Sequence, residues 1–179
     1  MLVEFTGGTL EQFGELVRRI AADSFDPEGS PHLLVAWGPG RPGALVIELP
    51  GEYFENPEAK DELGQLIAAT GASGVELVGL VGEHWYAKAG SPAFEQAQQQ
   101  TRSLRDLRDA GVDGVTEVVT AWIGDADAQT AWLATIERDA SGARLGRWEL
   151  WSAPGSRWHP WFLAGVEHAK RAHDDREVR

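Results

Sequence analysis

With 179 residues, a formal net charge of −12 and a sequence pI near 4.8, the chain is long enough for one α+β domain with its own core, and its average surface repels nucleic-acid phosphates and anionic lipid. Cysteine is absent, which excludes disulfides, thiol nucleophiles and thiolate metal sites and fits a reducing cytosol. The start of the chain has no leader pattern and no apolar run is long enough to span a bilayer, so a soluble cytoplasmic protein is expected, with no membrane association and no ordinary nucleic-acid binding.

Thirteen arginines against three lysines, with abundant Ala, Gly and Asp, match the codon bias of a GC-rich genome such as an actinobacterium's. The acidic charge is uneven. Glu48, Glu52, Glu55, Glu58, Asp61 and Glu62 fall within fifteen positions and are countered only by Lys60, which reads as a solvated loop running into a helix N-terminus.

In chain order, residues 9–24 place Leu10, Phe13, Leu16, Val17 and Ile20 at helical spacing, and Thr9 with Gln12 forms a capping-box pattern. DPEGSP at 26–31 breaks this helix. HLLVAW and ALVIEL follow as strands of a hairpin, joined through GPGRPG at 38–43. That loop matches GxGxxG literally, but a strand follows it and two prolines remove amides, so it is a hairpin loop and not a dinucleotide cradle. Asn56 and Pro57 open a second helix with Leu63, Leu66 and Ile67 inward, ended near Gly71. GASG at 71–74 is its cap and turn.

VELVGLVGEHWYAK, 75–88, is apolar on both alternating faces, as a central strand covered on both sides must be. Ser91 and Pro92 then open an inserted helix over 92–110 whose stripe of Phe94, Ala97, Thr101, Leu104 and Leu107 is narrow, so it lies on a surface. Strands follow at 116–123 and 130–138 and around 143–151. Pairing the first two about Asp127 and the last two about Gly142 puts Val118, Trp122, Trp132, Ile136, Trp148 and Leu150 on one apolar face, with Glu137 opposite Arg147. The other face is mixed: Glu117, Val119, Ala121, Ile123, Leu133, Thr135, Glu137, Arg147, Glu149 and Trp151. After Pro154 and Gly155, Pro160 is expected as the first residue of a terminal helix with Trp161, Phe162, Val166 and Ala169 packing and Lys170, Arg171 and His173 near its negative end.

The expected fold is α+β, a mainly antiparallel sheet of five to six strands with flanking helices in the order α-β-β-α-β-α-β-β-β-α, as one domain over 1–179. This order resembles the roadblock, longin and profilin-like group, a resemblance that implies an antiparallel sheet carrying helices on its faces and brings no functional motif.

Chemistry finds few footholds. His168 and His173 are five apart, about 140° around a helix, and diverge, and no GxSxG elbow is present, so neither a metal nor a cofactor is expected. The enzyme-like constellation is GEHWY at 82–86. Glu83 and His84 end the central strand but point to opposite faces, so they are separate catalytic candidates, with Trp85 beside them. Burying one tryptophan removes about 150–250 Å² from water, an upper value of roughly 5 kcal/mol. Most of the eight must therefore be internal, and those left outside mark a partner surface. Trp151 and Trp158, with Leu133, Arg147 and Glu149, are the expected binding residues.

The leading expectation is a non-enzymatic interaction or regulatory module that forms a homodimer, or meets another protein partner, through an aromatic-rich sheet face. The second is a small-molecule enzyme or sensor with a pocket near Glu83, His84 and Trp85. A third, an acidic mimic of nucleic acid, would need phosphate-like spacing of carboxylates over a whole face, and only one segment is dense.

Overall fold

The computed structural model describes residues 1–26, 32–55, 57–100, 103–140, 142–151 and 158–177. The breaks expected within 27–31 and at Pro154–Gly155, the helix opening at Asn56, and the side chain of His173 lie outside the described residues.

The elements run β1 (Leu2–Val3), α1 (Leu10–Asp23), β2 (His32–Trp37), β3 (Ala44–Leu49), α2 (Glu52–Glu55), α3 (Pro57–Ala72), β4 (Leu77–Ala87), α4 (Pro92–Gln100), α5 (Leu104–Asp109), β5 (Val115–Gly124), β6 (Gln129–Asp139), β7 (Gly142–Leu150) and α6 (Trp158–Glu177). The seven strands form one antiparallel sheet in the order β1-β3-β2-β4-β5-β6-β7. The class is α+β, with seven strands and not five or six. The additional strand is β1, two residues long, which pairs with Ala44 and Leu45 at the margin and is too short to show a periodicity.

β4 lies in the middle of the strand order, and Leu77 to Gly82 are all buried. Helix α1 covers one face. Its capping box forms as expected, Thr9 Oγ1 accepting from the Gln12 amide, and Phe13, Leu16, Val17 and Ile20 pack on Leu33, Val35, Val81, Val119, Ala121 and Ile123. Helices α3 and α6 cover the opposite face, where Leu63, Ile67 and Phe162 join Leu34, Leu80 and Trp122. The stretch expected as a single helix over 92–110 holds two, because Ser103 caps a new helix with Asp106 in a second capping box.

Both late hairpins differ in register from the expectation. Asp125 Oδ1 accepts from the amides of Asp127 and Ala128, and the Asp125 amide donates to Ala128, closing a four-residue turn centred between residues 126 and 127. Trp122 therefore faces Ala131, and Ala121 faces Trp132. The one-residue slip sends Trp122 into the α3/α6 core, while Trp132 and Trp148 pack on the α1 core. The single apolar tryptophan face is thus corrected.

The last hairpin turns between Asp139 and Gly142, ahead of the expected centre, and the register shifts between Ala134 and Ile136. Glu137 consequently pairs with Arg144, Nε to Oε2 at 2.8 Å, and not with Arg147. The mixed face separates as well. Val119, Ala121 and Ile123 lie under α1, whereas Leu133 belongs to the side of Val118, Thr120 and Trp122.

Helices α3 and α6 touch through glycines. A Cβ on Gly165 would collide with the carbonyl oxygen of Ala68, and one on Gly64 would lie 2.6 Å from Trp161 Cε2. The Gly165 clash is with backbone, so a methyl there must spread the helix pair. Gly165→Ala should cost about 1–3 kcal/mol by overpacking. Urea denaturation checks this, and an unchanged midpoint would contradict the close crossing.

Candidate functional site

The residues expected to carry function fall in two places, divided by the alternation of β4. On the α3 side, His84 follows Gly82 and precedes Tyr86. The loop after β3 turns into α2 through the Tyr53 and Phe54 amides, which donate to Pro50 and Gly51, and this lowers Phe54 onto Gly82. A Cβ on Gly82 would stand 2.6 Å from Phe54 Cε1, so only glycine admits the ring so closely. Phe54 then lies between two imidazoles, stacked on His32 at 4.2 Å and tilted against His84 at 5.7 Å.

Burial, with the nearby His32 and Lys60, holds His84 down to about 4 from its ordinary 6.5. It is therefore neutral near pH 7, able to accept a proton or a hydrogen bond. The environment is aromatic, and Glu83 points away from it.

On the α1 side, Glu83 stands beside Glu117 and Arg138. Arg138 grips the same Glu117 carboxylate with two bonds of 2.8 Å, Nε to Oε2 and Nη2 to Oε1. Chiefly through Arg138, Glu117 is held below the ordinary carboxylate range. The guanidinium of Arg108, carried by α5, lies 5.0 Å from the Trp85 ring. Trp85 is thus engaged by a cation from α5, next to an ion pair between β5 and β6.

The expected binding residues lie at the β6–β7 margin, except Trp158, which packs against the α3/α6 core. The Trp151 amide donates to Ala131, and that strand level leads through Trp122 to Leu80. On a flat sheet Tyr86, six residues further along β4 and three strands away, would be more than roughly 20 Å distant. The two rings are 6.4 Å apart and perpendicular. The sheet therefore curls toward this side, and Val118 and Thr120 in the trough are buried, Thr120 Oγ1 donating to the Gly82 carbonyl at 3.3 Å.

Leu133 faces Glu149 across the strands and is half-buried, while Arg147 and Glu149 are exposed. Leu150 faces Trp132, which is capped by Arg18 at 4.4 Å, yet Leu150 is 67% exposed and Trp151 36%. Among the described residues, no three His, Cys, Asp or Glu side chains converge as metal ligands. Among them, too, no helix is long and apolar enough to cross a membrane.

Phe54 and Arg138 join these clusters without having been singled out in the sequence, and His32, Tyr86 and Glu117 gain partners there that the sequence does not indicate. Glu117 and Arg138 would have followed from the observed β5–β6 register. His32 and Phe54 meet His84 only through the turn into α2, which has no periodicity. Comparison with protein families, with curated proteins and with solved structures finds no match to the chain.

The His84 environment sets a pH dependence. Between about pH 4 and 6.5 the unfolded chain takes the proton and folded His84 does not, so its contribution is complete above 6.5 and is lost as the pH falls toward 4. The difference amounts to about 3 kcal/mol at most. Urea midpoints at pH 7 and pH 4.5 should fall further for the native chain than for His84→Gln, and equal falls would contradict the buried neutral imidazole.

Proposed function

We propose that the chain acts as one α+β domain in the cytoplasm, a non-enzymatic interaction or regulatory module that self-associates through the aromatic margin of its sheet. The observation that carries this reading is the side-by-side exposure of Leu150 and Trp151 at the end of β7, which emerge on opposite faces of the same strand end. Exposed Arg147 and Glu149 border them, giving an apolar centre with a charged rim and the tryptophan and arginine chemistry that interface hot spots favour. Leu133, opposite Glu149, lies on the same side of the sheet as Trp151. The same patch meeting itself about a two-fold axis makes a homodimer, with opposite charges available on both copies. The likeness of element order to roadblock, longin and profilin-like domains adds architecture only.

A second reading, a small-molecule enzyme or sensor near Glu83, His84 and Trp85, draws its support from the neutral, aromatic-walled His84. Glu83 and Trp85 are engaged on the other face of the sheet and do not contribute to that wall.

The test is light scattering at high micromolar concentration. The native chain should have the mass of a dimer, and the double variant Leu150→Lys, Trp151→Ala should have that of a monomer with unchanged far-UV circular dichroism. A native monomer would defeat self-association, and a double variant that stays dimeric would defeat the choice of margin.

A further inference from the structure

Apart from that margin, at the end of the sheet where β4 begins, the fold leaves a cleft of about 530 Å³, within the range of small-molecule sites. It opens where the N-terminal end of α1, the start of β4, the β5–β6 turn and α6 meet. Its walls are apolar: Leu10, Trp37, Val75, Leu77, Phe162 and Val166. Of these, Leu10, Trp37 and Val166 keep part of their surface exposed. Gly74, whose φ of +75° suits glycine, lines the same opening, and a Cβ there would meet nothing within 4 Å. The space is thus a product of the backbone path between α3 and β4.

The polar groups of the cleft are not balanced. Glu76, Asp125 and Asp127 stand against Lys170. Asp125 is pinned by the two turn amides it accepts from, so its charge has a fixed position beside the cleft, while Glu76 and Asp127 are exposed. The net charge of −12 adds to the local potential, and an indole wall attracts cations as well.

We propose that this cleft binds a small apolar ammonium compound, an aromatic or aliphatic body seated on Leu10, Trp37 and Val166 with its cationic head among Glu76, Asp125 and Asp127. A carboxylate of the same shape would place its charge against three like charges. Selection is therefore by the sign of the head group, and affinity comes from the body. Neither depends on self-association, since no residue of the cleft belongs to β7.

The probes are 2-phenylethylammonium and 3-phenylpropanoate, titrated by calorimetry into the full chain at pH 7 and matched low ionic strength. The ammonium should bind saturably and the carboxylate at least tenfold more weakly. Glu76→Gln and Asp127→Asn, both exposed and outside the core, should each weaken the ammonium about two- to fivefold, and added salt should do the same. Ala169→Leu, which fills the cleft from the α6 side, should abolish binding while circular dichroism and the urea midpoint stay near native. Equal binding of the two probes, no saturable binding of the ammonium, or undiminished binding to a folded Ala169→Leu chain would each overturn the proposal.

Discussion

The structure depends on covering both faces of β4. Six successive residues of that strand, Leu77 to Gly82, are buried, so neither face can be left to water and helices are required above and below. Two glycines set how near those layers come. A Cβ on Gly79 would stand 2.8 Å from Val17 Cγ2 of α1, and one on Gly82 would stand 2.6 Å from Phe54 of α2. A close approach on each face is thus written into one strand. Past Gly82 the strand continues through Glu83, His84, Trp85 and Tyr86, which are all half-buried, and it is here that polar and aromatic chemistry enters the sheet.

What could be read directly from the residues was local or one-dimensional. The Thr9 and Gln12 capping box, the inward face of α1, the hairpin of β2 and β3 and the central place of β4 all follow from spacing within a single element. The pairing of β5, β6 and β7 does not, because register depends on the parity of a turn. Asp125 closes its loop by accepting two amides, which moves the hairpin centre by half a residue and every pairing by one. That shift is enough to divide Trp122 from Trp132. A turn centred on Asp127 places the same residues with the same hydrophobicity, so composition could not choose between them.

The same limit governs the candidate site. That Glu83 and His84 face apart is a consequence of strand alternation and was legible. Their partners come from elsewhere. Glu117 and Arg138 reach Glu83 because β5 and β6 run beside β4 in one register, and Phe54 reaches His84 because a turn at Pro50 and Gly51 drops α2 onto a glycine. The cleft bordered by Gly74 and Asp127 is still less visible in one dimension, since it is the space left between five separated segments.

β7 is the last strand of the sheet among the described residues, and its edge narrows the kind of contact proposed for the β7 margin. A strand edge invites another strand unless something blunts it. On β7 the register shift puts an extra residue at Gly146 and Arg147, opposite Thr135, and Arg144, Arg147 and Glu149 all reach into solvent. A bulge and charges of this kind interrupt the backbone ladder that strand addition needs. The exposed apolar side chains begin only beyond the bulge, at Leu150 and Trp151, where β7 ends. The contact proposed at this margin would therefore be made by side chains across two faces of a strand end, with the bulged part of the edge limiting it to that end.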